Sequence, residues 1–483
     1  MNTEKTPSGD GLRTQKPVFE KNFDASLAQL DTLLGLPGNY GIVKRPIVLL
    51  GQRAVFYYAE GLSDTEAIGR VAAFCLSAQT RGTLPAELFA QKLIPYGEVE
   101  TGRETRTVHA AAATGALVIL CEAFPGEAVI VKARNVPCRS LEEPELDKVL
   151  RGAHVGFGET LNRNCALLRR ALPSADLRMK VFSVGSMTET KVVLCWMRGK
   201  ADPRYLAFVE KKLSEIRTDS LNLGIQSLTE CLVRKRVWNP FPRFRYTERP
   251  DAAAASLCEG SVLLLCDNAP QAITLPVSIF SFLQETNDFY LSPFTGTYLR
   301  QLRLFTFLLS VYLIPVWYAL IFFTDPLPGW LSFLKIEKFT EVPVLIQLLL
   351  IELAIDALKL ASMNTPSALS NSLSVIGGLI LGDFAVQVGL FLPETILFMS
   401  VVAIAHFTQH NYELGYAFKY VRVAMLLLTA VLGWRGIFAG TALFVFLLLT
   451  VPTLEERRRY FYPLIPFNGH ALFSLFFRRR KEA

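Results

Sequence analysis

The chain has 483 residues, 50 of them Lys or Arg against 43 Asp or Glu, a net charge of +7, and 51% of it is hydrophobic. A charge excess this small, with no basic face interleaved with aromatics, argues against nucleic-acid binding. The apolar excess is concentrated after about residue 300, so the chain divides into a soluble-type part and a membrane-type part.

Residues 1–40 read as a mobile polar tail, and Met1–Asp24 holds no apolar core of signal-peptide length, so the soluble part is expected in the cytoplasm. Residues 41–150 read as a first α/β subdomain. Ile47–Leu50 and Ala54–Tyr58 are expected strands around a turn at Gly51, and Asp64 caps an amphipathic helix over Thr65–Ala78. Ala116–Cys121 and Ala128–Val131 are two further strands.

Residues 151–298 repeat the pattern. Met179–Val184 and Lys191–Trp196 read as strands, and Asp202 precedes a helix over Pro203–Ile216 with proline at its first position. Ser261–Cys266 and Ala272–Leu275 close the unit. The shared order of elements predicts two copies of one α/β unit. Between them, Gly156, Phe157, Gly158 and Glu159 lie in a glycine-rich stretch without the Gly-Lys-Ser/Thr ending of a phosphate loop, which favours a structural hinge. Arg169 and Arg170 end the helix that follows. Glu248, Arg249, Pro250 and Asp251 form a polar knot with no neighbouring nucleophile or histidine, expected to be a buried Glu248–Arg249 network.

Residues 299–453 read as a helical membrane domain and 454–483 as a basic cytosolic tail. Apolar runs cover Leu304–Phe323, Val342–Leu360, Leu373–Phe391, Ile396–Phe407, Val421–Trp434 and Ile437–Val451, the last two split at Arg435-Gly436. Six crossings fit, as do four plus a re-entrant pair. Basic residues beside the first and last runs place both termini in the cytoplasm.

The second run carries Glu352, Asp356 and Lys359 at i, i+4 and i+7, one stripe of a helix. A charge at mid-membrane costs roughly 2.5–3.5 kcal/mol even on the most forgiving scale, so the stripe must face protein or water. Leu345 and Leu349 continue it at one end and Met363 at the other. An apolar gate in line with a charged stretch of an ion path has this pattern. An interfacial helix, or an Asp356–Lys359 pair that locks packing, fits it too. In the third run Asp383 and Gln387 sit at i, i+4 after Gly377, Gly378 and Gly382, which suits either close helix packing with polar glue or an ion path.

All eight cysteines (75, 121, 138, 165, 195, 231, 258 and 266) lie in the soluble part without a CxxC pair; most sit in apolar, strand-like stretches, which suggests buried free thiols in a reducing compartment rather than disulfides or a zinc site. The five histidines are scattered, and no metal spacing, nucleophile elbow or Ser/His/Asp context occurs. The chain reads as no enzyme, with no cofactor and no metal.

Several motifs occur in order: Gly156-Phe-Gly-Glu-Thr-Leu-Asn-Arg-Asn with Leu168-Arg-Arg170, Thr247-Glu-Arg-Pro-Asp251, Glu259-Gly260, Asp267-Asn-Ala-Pro270, Asn287-Asp-Phe-Tyr290 and Leu299-Arg-Gln-Leu-Arg303. This set resembles the A-subunit family of spore germinant receptors over about residues 20–475. Arg151-Gly-Ala153 and Gly382-Asp-Phe-Ala-Val-Gln-Val-Gly389 depart from that family's pattern. The resemblance implies an α/β cytosolic domain of two similar subdomains followed by an α-helical polytopic membrane domain in the spore inner membrane. It also implies a ring-shaped, pentameric homo-oligomer that releases monovalent cations, with the helix matching Val342–Leu360 at the pore. The partners it implies are other copies of the chain, a smaller polytopic membrane companion and other germination proteins. An amplifier of the germination response is the role it suggests. A non-conducting scaffold or sensor is the alternative.

Overall fold

The computed structural model describes residues 18–77, 82–134, 154–233, 239–285, 287–324, 326–336, 339–364, 378, 384–409, 411–451, 454 and 460–477. The chain divides into two compact units. One holds the described residues up to Leu232 together with Tyr246–Leu275; the other holds those of Val233–Arg245 and everything from Pro276 onward.

The first unit contains two five-stranded sheets of the same order. In the first subdomain the elements run α1 (Phe23–Leu34), β1 (Ile42–Leu49), β2 (Gln52–Ala59), α2 (Thr65–Ser77), α3 (Ala86–Leu93), β3 (Val99–Gly102), α4 (Thr105–Ala113), β4 (Leu117–Cys121) and β5 (Ala128–Val131). The sheet order is β1-β2-β4-β5-β3. Leu49 pairs with Gln52 across a two-residue turn whose Leu50 and Gly51 both have positive φ, 55° and 77°, the hairpin geometry that suits the twist of the strands. Side chains alternate between the faces. Phe56, Ile119, Val129 and Val131 pack with α2 and α3, while Val55, Tyr57, Val118 and Ile130 pack with α1 and α4. Covered on both faces, β4 and β5 read as unbroken apolar runs.

The second subdomain repeats this with α5 (Leu161–Ala171), β6 (Leu177–Val184), β7 (Thr190–Met197), α6 (Pro203–Glu215), α7 (Ile225–Leu232), β8 (Arg245–Thr247), α8 (Pro250–Cys258), β9 (Val262–Cys266) and β10 (Ala272–Leu275), in the order β6-β7-β9-β10-β8. The helix starts expected from sequence are present. Asp64 Oδ1 accepts from the amides of Glu66 and Ala67, and Asp202 Oδ1 from that of Arg204, each at 3.0 Å.

One expectation is corrected. Residues 23–34, inside the stretch read as a mobile tail, form α1. Asn22 caps its start, Gly35 closes it in a left-handed conformation, and Phe23, Leu30 and Leu34 are buried at helical spacing. Among the described cysteines five are buried, and Cys231 and Cys258 are exposed. Burial pushes the Cys75 thiol up to about 11 and Cys165 up to about 12, so both stay protonated near neutrality.

His109 on α4 is 4% exposed. Burial, reinforced by the Arg178 guanidinium, pushes its imidazole down to about 4 from 6.5. The folded state therefore stays neutral where the unfolded chain takes up a proton. Stability present above pH 6.5 is lost as pH falls toward 4, by about 3 kcal/mol in all. His109→Gln is expected to flatten the fall in melting temperature between pH 6.5 and 4, measured on the full chain in detergent. Parallel pH profiles for the two proteins would count against this origin.

The second unit is helical: α9 (Asn287–Tyr290), α10 (Pro293–Phe323), α11 (Val344–Asn364), α12 (Pro393–Phe407), α13 (Tyr412–Leu432), α14 (Trp434–Leu449) and α15 (Gly469–Phe476). Of the described helices, α10 and α13 are long and apolar enough to cross a bilayer, with mean hydropathies of 2.1 and 1.4, while α12 and α14 are apolar but shorter. At 21 residues α11 is as long as α13, and each carries three charges; those of α11, Glu352, Asp356 and Lys359, all lie within its interior, whereas Glu413 of α13 sits in the first turn and leaves a longer uncharged stretch after Arg422. The last two runs, expected to break at Arg435-Gly436, break instead at Gly433, whose φ of 60° turns the chain between α13 and α14. Most of the third run lies outside the described residues; within it Ala385–Gln387 is a short helical turn.

Candidate functional site: a charged cluster between membrane-type helices

The charged stripe of α11 meets two basic residues of α13. Lys419 and Arg422, at i and i+3, stand opposite Glu352 and Asp356, at i and i+4, so both pairs lie on facing helix stripes. Glu352 is buried, and its Oε1 accepts from Arg422 Nε at 2.6 Å. Arg422 Nη1 also donates to the Ser310 carbonyl of α10 at 2.5 Å, so one guanidinium ties three helices. Lys419 Nζ is in contact with Asp356 Oδ2, lies 3.7 Å from Glu352 Oε2, and donates to the Glu352 carbonyl at 3.3 Å. Two acids and two bases thus balance between helices whose neighbouring residues are mostly apolar. Burying such groups is tolerable only as a set, because one left alone would face the full desolvation penalty.

Lys359, one turn beyond Asp356, takes another environment. Its ammonium lies 4.5 Å from the ring centroid of Tyr412, 4.7 Å from that of Tyr416 and 5.9 Å from that of Phe407. Ring faces attract the cation electrostatically where the surroundings are poor in water.

Leu345 and Leu349 are half-buried on the same stripe. The side chain of Met363 and all of Asp383 lie outside the described residues, and Gln387 is exposed. The most open face of α11 is offset from the charged stripe by one residue, about 100° around the helix. There Ile346, Leu350, Leu353 and Leu360 are 46%, 41%, 66% and 57% exposed, with Ala357 also exposed between them. Their spacing of 4, 3, 4 and 3 is that of a helix-pairing seam.

Sequence reasoning missed Lys419, Arg422 and Gln347. The signal for the first two was present: an i, i+3 basic pair entering an apolar run, matched in spacing to the acids of α11. Gln347 is fully buried. Its Oε1 accepts from the Leu392 amide at 2.9 Å and the Thr395 hydroxyl at 3.1 Å, and its Nε2 donates to Thr340 Oγ1 and the Val342 carbonyl, each at 2.8 Å. It fixes α11 to the start of α12.

In the soluble unit the motif residues are brought together as structural ties. Phe157 is buried, and its amide donates to the Glu248 carbonyl at 2.7 Å. The Gly158 amide donates to Asn164 Oδ1 at 2.8 Å, and the carbonyl of exposed Glu159 accepts from the Asn268 amide at 2.9 Å. Gly156 is buried beside them. Arg249, fully buried, grips Asp251 through two bonds, at 3.0 and 2.5 Å, while Glu248 Oε1 accepts from Gln271 at 3.2 Å. Pro250 opens α8 at its first turn. The ion pair is thus Arg249–Asp251, next to the Glu248–Arg249 pairing read from sequence. Buried Arg169 donates through Nη2 to Asn39 Oδ1 at 3.0 Å and to the Tyr40 carbonyl at 2.5 Å, tying the two subdomains, while Arg170 faces solvent.

The family model of the Bacillus/Clostridium GerA spore germination protein matches residues 29–483. Stage V sporulation protein AF of Bacillus subtilis (strain 168) is 33% identical over 450 residues, 93% of this chain and 90% of that protein. Spore germination protein GerQA of Bacillus cereus is 28% identical over 377 residues, 77% of this chain and 75% of that protein. Among solved structures, the N-terminal domain of the A subunit of the Bacillus megaterium spore germinant receptor GerK3 aligns with 55% of this chain and 99% of its own, at 19% identity and a TM-score of 0.43. With the motif order and the α/β-then-helical architecture in place, a family match over nearly the whole length shows that the chain belongs to the GerA spore germination family.

Proposed function

We propose that this germination protein forms a homo-oligomeric ring, pentameric in the simplest arrangement, whose α11 helices flank a path for monovalent cations in the spore inner membrane. In this reading it amplifies the germination response, and its soluble unit controls opening or holds the ring together. The observation that carries the proposal is the asymmetry of α11. One stripe is fastened to α10 and α13 by buried charges, while the next carries Ile346, Leu350, Leu353 and Leu360 exposed at seam spacing. A helix fixed on one side and open on the other is suited to meet copies of itself around an axis. Asp356, whose side chain keeps 29% of its surface exposed, is the acid best placed to meet an ion once Lys419 releases it.

The in-chain neutralisation of Glu352 and Asp356 favours a second reading, a non-conducting scaffold or sensor in which the cluster only fixes packing. Reconstitution of full-length protein in liposomes separates the two. Asp356→Asn is expected to lower cation flux, or shift selectivity away from cations, by about tenfold, since a carboxylate beside a narrow path concentrates counterions. Unchanged conductance and selectivity at equal protein incorporation would remove Asp356 from the path. A wild-type ring that passes no ions would favour the scaffold.

A further inference from the structure

Between α7 and β8 the chain passes through Asn239–Phe244, a strap that packs within the helical unit. Pro240 and Pro242 bracket Phe241 and stiffen the strap, since each fixes its own φ and restricts the residue before it. Asn239 clamps one end. Its Oδ1 accepts from the Phe241 amide at 3.0 Å, and its Nδ2 donates to the Leu447 carbonyl of α14 at 2.6 Å and to Thr450 Oγ1 at 3.3 Å. The Pro242 carbonyl accepts from the hydroxyl of fully buried Tyr460 at 3.0 Å. Phe241 is buried, with its ring centroid 6.0 Å from that of Phe418 on α13 and 6.0 Å from that of Phe444 on α14. Phe418 is buried too, and its ring lies edge-on to Phe307 of α10 at 4.0 Å. The strap and three helices thus close one aromatic cluster. That cluster adjoins the charges, because Phe418 immediately precedes Lys419.

We propose that Phe241 is a wedge that sets the rotation of α13, and that the strap carrying it regulates the hold of Lys419 on Asp356. With Phe418 held between Phe241 and Phe307, α13 has one seat. Successive side chains of a helix point about 100° apart and turn together, so a rotation that moves Phe418 moves Lys419 with it. Close packing leaves no room for that rotation while the wedge is in place, and withdrawing it opens a space beside Phe418 into which α13 can turn. Lys419 is the charge that gives way. Arg422 is tied to Glu352 and to the Ser310 carbonyl and acts as the pivot, whereas the Asp356 side chain keeps 29% of its surface exposed and takes water when Lys419 leaves. The strap is in series with the soluble unit, since Phe244 leads directly into β8, the edge strand of the second sheet. The inference deepens the reading in which the soluble unit controls opening and Lys419 releases Asp356, and it rests on that reading.

The test is the acetylation rate of Lys419 by acetic anhydride in the full chain in detergent, read by peptide mass spectrometry against exposed Lys211 as the internal reference. It needs no ion flux, so a ring that passes no ions would sink the path and leave this measurement standing. Phe241→Ala is expected to raise the rate about tenfold, equivalent to about 1.4 kcal/mol at the latch. Phe241→Leu refills much of the space and is expected to stay within about twofold of the parent. Asn239→Ala unties the strap but keeps the ring, and is expected to raise the rate about threefold, the yield of one weakened hydrogen bond. Phe398→Ala is the control: it opens a space against Trp317, 4.7 Å away between centroids, and is expected to leave Lys419 at the parent rate. Should Phe241→Ala fail to fold, Asn239→Ala decides. The parent rate in every strap variant that folds overturns the proposal, as does an equal rise in Phe398→Ala, which would mean general loosening of the bundle. A rise in Phe241→Ala with none in Asn239→Ala keeps the wedge and overturns its control by the strap.

Discussion

Arg422→Ala is expected to cost about 3–5 kcal/mol of stability and to be the most damaging single change among the charges of the helical unit. Two losses combine. Glu352, at 7% exposure, keeps its carboxylate in an apolar layer without the guanidinium at 2.6 Å, and the Ser310 carbonyl loses its donor on α13. Lys419, 3.7 Å from Glu352 Oε2 and already engaged with Asp356, replaces only part of that interaction. Removing both partners should be far milder, because neither is then left uncompensated; Glu352→Leu with Arg422→Leu is expected to melt close to the parent protein. Lys419→Met should fall between, since the Asp356 side chain retains 29% exposure and can be reached by water. The measurement is the melting temperature in detergent of the two single variants and the double variant. An Arg422→Ala protein that melts with the parent would show that Glu352 finds water or another donor, as expected if the stripe opens onto an aqueous path.

The same cluster shows what the sequence could and could not disclose. The cost of Glu352, Asp356 and Lys359 in a membrane-length run was legible from spacing alone, because helix periodicity is local. Their partners were not, because Lys419 and Arg422 lie more than sixty residues away and pairing at that distance is decided by tertiary packing. A complementary i, i+3 basic pair was visible, but nothing local said that α13 would stand beside α11. In the soluble unit legibility was high for the opposite reason. The strands β4 and β9 are buried on every residue and read as unbroken apolar runs, and Asp64 and Asp202 mark helix starts by chemistry that acts within three residues. The duplication emerged from the order of such local signals. The helix α1 carried local signals in Asn22, Gly35 and apolar residues at helical spacing, but the polar residues that precede it dominated the reading of the stretch, and its four buried side chains gain their value only once β2 and β4 pack against them.

Gly436→Ala is expected to loosen the hairpin of α13 and α14 severely, although the same substitution in an exposed helix interior would stabilise by about 1 kcal/mol. A Cβ at Gly436 would lie 2.2 Å from the Leu428 carbonyl oxygen and 2.5 Å from the Thr429 Cα, both backbone atoms of α13 that no rotamer change can move. The helices must separate, and the close packing forfeited along the seam outweighs the propensity gain, for a net loss of about 3 kcal/mol or more. Gly440, one turn on, gives an internal comparison. A Cβ there would meet Met425 Cγ at 2.5 Å, which a rotamer change can turn away, and Met425 Cβ and Cα at 2.9 and 3.1 Å, which need a smaller separation of the helices than Gly436 does, so Gly440→Ala should cost less. The two glycines form the small-xxx-small pattern through which membrane helices approach closely, and the ranking tests whether backbone contact at Gly436 sets that approach. Melting temperatures in detergent, with protease sensitivity at the Gly433 turn as a second readout, decide it. Equal tolerance of alanine at both positions would mean that α14 packs less closely on α13 than the 2.2 Å approach requires.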